Sequence, residues 1–386
     1  MNLMQEHNAN YFETIERKNF IETLRLANDR WQQRKTSINA LVSRFPLLIF
    51  GFGGKGQAIA HHIQKFTNKE LWVYDTSPKK RTLARKEGFK VVDVLSSNEL
   101  TRFAVILGAC QAQKEQQEIV GEHHIYYQEA ASFFNAPHLE NSAPDFQEHV
   151  LAYSNELFDV AINLVPESYR SMLAVLSFRM SLDPADLQPI RRANNLMWFD
   201  TLSLTRSRPY DTFLDIGAFD GDTLRLFQEK FSCQRGIAVE ANERLFSDIR
   251  KVSKIYSKGI EILPMAAWSK RTMLDFEVVR SGMVKVKENE FGVLRAGPID
   301  DSVFEKVDVI KMDIEGAEAK ALEGSRKLLK QWEPDLAIAA YHRPADFIRL
   351  YEQLVSYGYK KQNFEWHFAH YSDCFDDSIF YVTRKS

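Results

Sequence analysis

Apolar side chains recur at helical spacing through residues 11–45, at Phe20, Leu24, Ala27, Trp31, Ile38, Leu41 and Phe45. This predicts a helical segment whose apolar stripe packs on a neighbouring domain, and Pro46 ends it. Short apolar runs then alternate with amphipathic stretches. Strands are expected at 47–51, 71–75, 90–95, 103–109 and 124–129, with helices over 77–88 and 111–120. Residues 147–205 change to helical patterning, with Leu157, Ala161, Leu164 and Val165 on one face, and Met172, Val175, Leu176 and Arg179 on another. Asp183-Pro184 reads as an N-cap followed by proline at the first helical position. Alternation resumes at residue 212, with strands at 212–217, 235–240, 260–269, 308–313, 335–342, near 357–367 and at 378–383. The segment 272–294 alternates with period two and predicts an antiparallel hairpin inserted in the sheet.

The expected fold class is α/β, with two Rossmann-like doubly wound domains joined by a helical connector. The divisions are a helical segment at 1–45, an α/β domain at 46–146, the connector at 147–208 and a second α/β domain at 209–386. The 386 residues suit two domains, and 45% hydrophobic with 26% charged residues is a globular composition. A net charge of −2 without basic or acidic blocks argues against nucleic-acid and membrane-surface partners. Cys110, Cys233 and Cys374 are too few and too scattered for a disulfide framework or a cysteine zinc site. With no apolar signal region near the N-terminus and no run of roughly 20 apolar residues, a cytoplasmic location is expected. A homo-oligomer is compatible with this composition.

Two glycine loops follow predicted strands, and their charges differ. Gly51, Gly53 and Gly56 fit the dinucleotide spacing, in a loop with Lys55 and no acid, and Asp75 ends the next strand. That loop suits an anion such as the pyrophosphate of NAD or another nucleotide, or else serves only close helix–strand packing. Lys79, Lys80 and Arg81 leave the choice between NAD and NADP open. The second loop places Asp215, Asp220 and Asp222 around Gly217 and Gly221. A pyrophosphate would be repelled there, whereas S-adenosylmethionine carries a sulfonium, an ammonium and no phosphate. Glu240 ends the following strand, where a carboxylate can take both ribose hydroxyls. The second loop is therefore expected to hold the reactive cofactor.

The second loop, the acid in IAVEAN, the phrase PIDDSVFEKVDVIKMDIEGAEAKALEG and the later AIAAYH, HY and IFY together resemble the FkbM family of S-adenosylmethionine-dependent methyltransferases. The resemblance spans roughly residues 210–383 and is most specific at 310–318. It implies a class I methyltransferase fold with a seven-stranded sheet, a reversed last strand and methyl transfer usually to a hydroxyl oxygen. By position, Asp215, Gly217 and Gly221 become the cofactor loop, Glu240 the ribose acid, and Asp313 a residue beside the transferring methyl.

A hydroxyl nucleophile needs a base or a metal. The candidate catalytic residues are His342, Asp313 and His370, with Glu315 and Glu318 either functional or capping the following helix. An imidazole with an ordinary pKa of about 6.5 at His342 would serve as a base, or the ring is simply hydrogen-bonded. His370 is expected on a late loop, as a substrate contact or a structural residue. No metal site is assigned, although Asp313, His342 and His370 offer a minority arrangement for a divalent ion. Trp198, Phe199, Trp366 and Phe368 form either a substrate rim or core. The expected function is O-methylation of a small-molecule hydroxyl on a sugar, polyketide or related metabolite, with the N-terminal domain as a nucleotide- or substrate-recognition module. The alternative is an NAD(P)-dependent oxidoreductase using the first loop.

Overall fold

A computed structural model describes residues 3–109, 113–136, 143–193, 196–200, 210–278, 284–289 and 291–385. Helix α1 (Leu3–Arg44) buries Phe20, Leu24, Ala27, Trp31 and Ile38, as the spacing predicts, while Val42 is buried in addition and Leu41 and Phe45 are only partly buried. Its basic residues tie separate regions together. Arg17 Nη2 lies 2.6 Å from Asp159, Arg30 Nη2 lies 2.8 Å from Asp186, and Arg34 Nε lies 2.7 Å from Glu129.

The first sheet contains β1 (Leu47–Phe50), β2 (Leu71–Tyr74), β3 (Lys90–Val91), β4 (Ala104–Leu107) and β5 (His124–Tyr126), all parallel in the order β3-β2-β1-β4-β5. Helices α2 (Gly54–Phe66), α3 (Pro78–Lys86), α4 (Ser97–Leu100) and α5 (Gln113–Val120) connect the strands. The expected strand at 124–129 stops at Tyr126, and α6 (Tyr127–Phe133) follows at once. The reason is local: the Glu129 carboxylate accepts the Tyr126 N–H at 2.9 Å, closing a helix-start box. Helices α7 (Ala143–Ala152), α8 (Ser154–Ala161) and α9 (Pro166–Ser181) follow. Asp183 accepts the Ala185 N–H at 2.9 Å, as its N-cap pattern predicts.

The second sheet has the order β15-β16-β14-β13-β6-β7-β8. Its members are β6 (Thr212–Ile216), β7 (Arg235–Val239), β8 (Ile260–Leu263), β13 (Val309–Met312), β14 (Asp335–Ala339), β15 (Phe364–His370) and β16 (Ser378–Arg384). Strand β16 runs antiparallel to both neighbours, while β6, β7, β8, β13 and β14 are parallel. The reversed last strand is as the resemblance implies. Helices α10 (Asp222–Phe231), α11 (Phe246–Val252), α12 (Glu318–Gly324), α13 (Arg326–Trp332) and α14 (Asp346–Tyr357) cover this sheet.

Further elements differ from the sequence pattern. The hairpin does not join the main sheet: β9 (Ala266–Ala267), β10 (Thr272–Val278), β11 (Val284–Glu288) and β12 (Leu294–Gly297) form a separate sheet in the order β11-β10-β12-β9. Pro264, between β8 and β9, cannot donate to a ladder, so the apolar run 260–269 divides between two sheets. Near the C-terminus, α14 continues to Tyr357, and Gly358 ends it at φ 113°, a conformation glycine adopts freely. The strand expected near 357–367 therefore starts later, and His370 is the last residue of β15 and not part of a loop. No helix among the described residues is long and apolar enough to cross a membrane.

Candidate active site

The carboxyl ends of β6, β7 and β13 open into a cavity of about 440 Å³, where open α/β sheets place their ligands. Val239, Leu245, Met265, Ala266 and Trp268 supply apolar wall. Gly217, just beyond β6, has φ +83°, and a Cβ there would collide with the Asp313 carbonyl oxygen. That close approach brings the loop against the end of β13. Glu240, just beyond β7, lines the cavity; Oε2 accepts the Phe219 N–H at 3.0 Å and Oε1 the Asn242 N–H at 2.7 Å. One carboxylate thus holds two loops and has lone pairs left for a ligand.

The acids of the second loop divide their work. Asp215 is fully buried and does not line the cavity. It accepts the Thr223 hydroxyl and ion-pairs with Lys311 Nζ at 3.1 Å. Asp215 and Lys311 are direct partners in the β6–β13 register. Lys311 also donates to the Gly217 carbonyl at 2.7 Å and lies 5.2 Å from the centre of the Trp198 ring. The Lys311 pKa is raised despite burial, because Asp215 and Asp313 favour its charge. Asp215 therefore supports the loop from below and stands behind the cavity lining. Asp220 Oδ1 accepts the Asp222 N–H at 3.1 Å, and Asp222 Oδ1 accepts the Thr223 N–H at 2.7 Å. Asp222 also lines the cavity; Asp220 does not. Gly221 packs against α11 at φ +87°, with a Cβ position 3.2 Å from Val252.

The loop's own N–H groups are largely satisfied internally: Gly217 and Ala218 donate to Val239, Phe219 to Glu240, and Gly221 to Ala218. The cavity's charged lining is Asp222, Glu240, Asp313 and Glu315 against Lys311, which Asp215 already neutralises. The surface is rich in acceptors, and it favours a cationic ligand over a pyrophosphate.

Asp313 and Glu315, just beyond β13, also line the cavity. Glu315 adopts φ 57°, a left-handed conformation unusual for a non-glycine residue. Tyr341 donates its hydroxyl to Asp313 Oδ1 at 3.3 Å. His342 lies behind these acids, its side chain 7% exposed, with Glu318 Oε1 2.9 Å from Nδ1. Burial opposes charge on the ring, but Glu318, Asp313 and Glu315 together raise its pKa to about 10. The expectation of an ordinary imidazole base is corrected: without another cation, the ring holds its proton at neutral pH. His370 is brought to neither Asp313 nor the cavity lining. It is fully buried, with Nδ1 2.9 Å from Ser378 Oγ, and desolvation beside Arg179 pushes its pKa down to about 3.

Of the four aromatics, Trp198 lines the cavity, whereas Phe199, Trp366 and Phe368 are core. Lys311 is the functional neighbour that sequence reasoning missed. A lysine inside the apolar run DVIKMD, with an aspartate inside TFLDIG, was the available signal.

At the first loop, the Asp75 carboxylate turns inward: Oδ2 accepts the Phe52 N–H at 2.7 Å and Oδ1 the Ser77 N–H at 2.8 Å. Lys55 reaches the second sheet's β15–β16 connection, ion-pairing with Asp376 at 2.8 Å. Gln116 donates to the Phe50 carbonyl at 3.0 Å, beside Gly51. A Cβ on Gly56 would collide with the Gly51 carbonyl, whereas one on Gly53 would meet only Lys80 Nζ at 3.7 Å. Gly56→Ala is therefore expected to cost about 1–3 kcal/mol in urea denaturation through overpacking. Gly53→Ala should stay within about 0.5 kcal/mol. Equal effects would refute this packing assignment.

Residues 284–361 match the Methyltransferase FkbM domain. The methyltransferase FkbM from Methylobacillus flagellatus KT superposes with a TM-score of 0.75 at 18% identity, covering 95% of this chain and 100% of its own. A precorrin-6y C5,15-methyltransferase from Geobacter metallireducens GS-15 covers 52% of this chain and 95% of its own, at 15% identity and a TM-score of 0.30. No curated protein sequence matches the chain. With its seven-stranded sheet, the C-terminal part of this chain has the class I methyltransferase fold, and residues 284–361 within it are similar to the Methyltransferase FkbM domain.

Proposed function

We propose that the cavity binds S-adenosylmethionine and that the protein methylates a hydroxyl oxygen of a small metabolite, such as a sugar or polyketide. The carrying observation is the lining itself: four carboxylates, and a single lysine already neutralised by Asp215. When bound, S-adenosylmethionine supplies an electrophilic methyl group on a sulfonium. In this reading Glu240 accepts the ribose hydroxyls and the apolar wall from Met265 to Trp268 packs on the base, supported by their place in the cavity lining. A carboxylate oxygen of Asp313 or Glu315 takes the hydroxyl proton as the acceptor oxygen bonds to the methyl carbon. The carbon–sulfur bond breaks, and its electron pair stays on sulfur as a neutral thioether. Aligning acceptor and methyl in one enclosed site supplies much of the acceleration.

The N-terminal α/β unit enters this proposal as a substrate-recognition module, tied to the second sheet by the Lys55–Asp376 ion pair. The nicotinamide alternative finds little support in a loop whose acid turns inward and whose lysine is ion-paired. Titration calorimetry should show one S-adenosylhomocysteine site per chain, and labelled S-adenosylmethionine should transfer its methyl group to an alcohol acceptor. Failure of the folded chain to bind S-adenosylhomocysteine would overturn the cofactor assignment. Methyl groups found on nitrogen or carbon in the product would overturn the hydroxyl assignment.

A further inference from the structure

Three carboxylates surround the His342 ring. Glu318 Oε1 is 2.9 Å from Nδ1, while Asp313 Oδ1 and Glu315 Oε2 are 3.5 and 3.7 Å from Nε2. Both ring nitrogens of His342 are buried without a hydrogen-bond partner, and so is Glu318 Oε2. Ligand atoms of Asp313, Glu318 and His342 all lie within 4.8 Å of one another. Separations of 3.5 and 3.7 Å are long for hydrogen bonds. Two atoms sharing a cation at about 2.1 Å lie about 3.0–3.4 Å apart, so a small inward movement gives ligand spacing.

We infer that His342 Nε2 and Asp313, joined by Glu315 from the exposed side, form a site for a divalent transition-metal cation. Glu318 Oε1, 2.9 Å from Nδ1, is the outer carboxylate beside the imidazole, and carboxylates in that place are common around metal-bound histidines. One imidazole with carboxylates suits manganese or zinc better than calcium. The cation balances the charge of the three acids around the ring. Asp313 and Glu315 also line the cavity, so the open coordination positions face the acceptor. A hydroxyl oxygen bound there would be acidified beside the methyl group, its proton passing to the carboxylate oxygen of Asp313 or Glu315 left off the cation, which extends the proposed methyltransferase function and rests on it. The composition of the site differs from the sequence expectation: His370 lies elsewhere, and Glu315 and Glu318 take part instead.

The test titrates the chelator-treated full chain with Mn²⁺, reading free ion by electron paramagnetic resonance, with S-adenosylhomocysteine binding measured separately. One micromolar Mn²⁺ site is expected, weakened at least tenfold in His342→Asn and in Glu315→Gln. Glu315 is 56% exposed, so its variant separates ligand loss from unfolding. No Mn²⁺ site tighter than millimolar, or unchanged affinity in folded Glu315→Gln, would overturn the metal site. S-adenosylhomocysteine binding without Mn²⁺ binding would sink the metal inference alone. Mn²⁺ binding at this site without S-adenosylhomocysteine binding would support the metal site and sink the proposed function.

Discussion

Glu240→Ala is expected to weaken S-adenosylhomocysteine binding by about two orders of magnitude or more. The carboxylate stands beyond β7 at the cavity, where it would accept both ribose hydroxyls. Each hydrogen bond to a charged acceptor contributes about 1.5–3 kcal/mol, and about 1.4 kcal/mol is a factor of ten. The carboxylate also accepts the Phe219 and Asn242 N–H groups, so alanine loosens both loops that frame the cavity. Glu240→Gln keeps one acceptor oxygen and should fall between wild type and alanine. Calorimetry measures all three proteins, and circular dichroism checks the fold. Wild-type affinity in a folded Glu240→Ala chain would remove Glu240 from the cofactor site.

Lys311→Met should lower global stability by about 3–5 kcal/mol, because it leaves the buried Asp215 carboxylate without its counter-charge. The change also removes the donor to the Gly217 carbonyl, so the glycine loop loses its tie to β13. Asp215→Asn combined with Lys311→Met should recover part of the loss, since no charge then remains buried in the pair. Urea denaturation of the two single variants and the double variant gives the coupling directly. If Lys311→Met alone were within 0.5 kcal/mol of wild type, the pair would not be a supporting element of the site.

These two residues show what kind of information the chain's pattern carries. The apolar runs at 212–216 and 309–312 become buried parallel strands because each must cover both faces of a sheet. Asp215 and Lys311 were legible as unusual charges inside those runs. Their pairing was not, because register is fixed by strands lying 94 residues apart in the case of Gly217 and Lys311. Local chemistry was legible where one segment completes it, as at Asp183, which caps its own turn. It was misread where competing local signals met: Tyr127 begins a helix because Glu129 reaches back, and Pro264 sends two halves of one apolar run into different sheets.

The candidate site follows the same division. The sequence by itself determined the alternation of strands and helices, the glycine positions and the acids at strand ends, because these depend on periodicity and backbone geometry within a few residues. Only tertiary structure decided what each charge does. Asp75 turns inward onto the first glycine loop, and Lys55 crosses 321 residues of chain to reach Asp376. His342 meets Asp313, Glu315 and Glu318 only when the turns beyond β13 and β14 come together. Charge interactions depend on distance and burial in three dimensions, and a sequence specifies neither until the strands are in register.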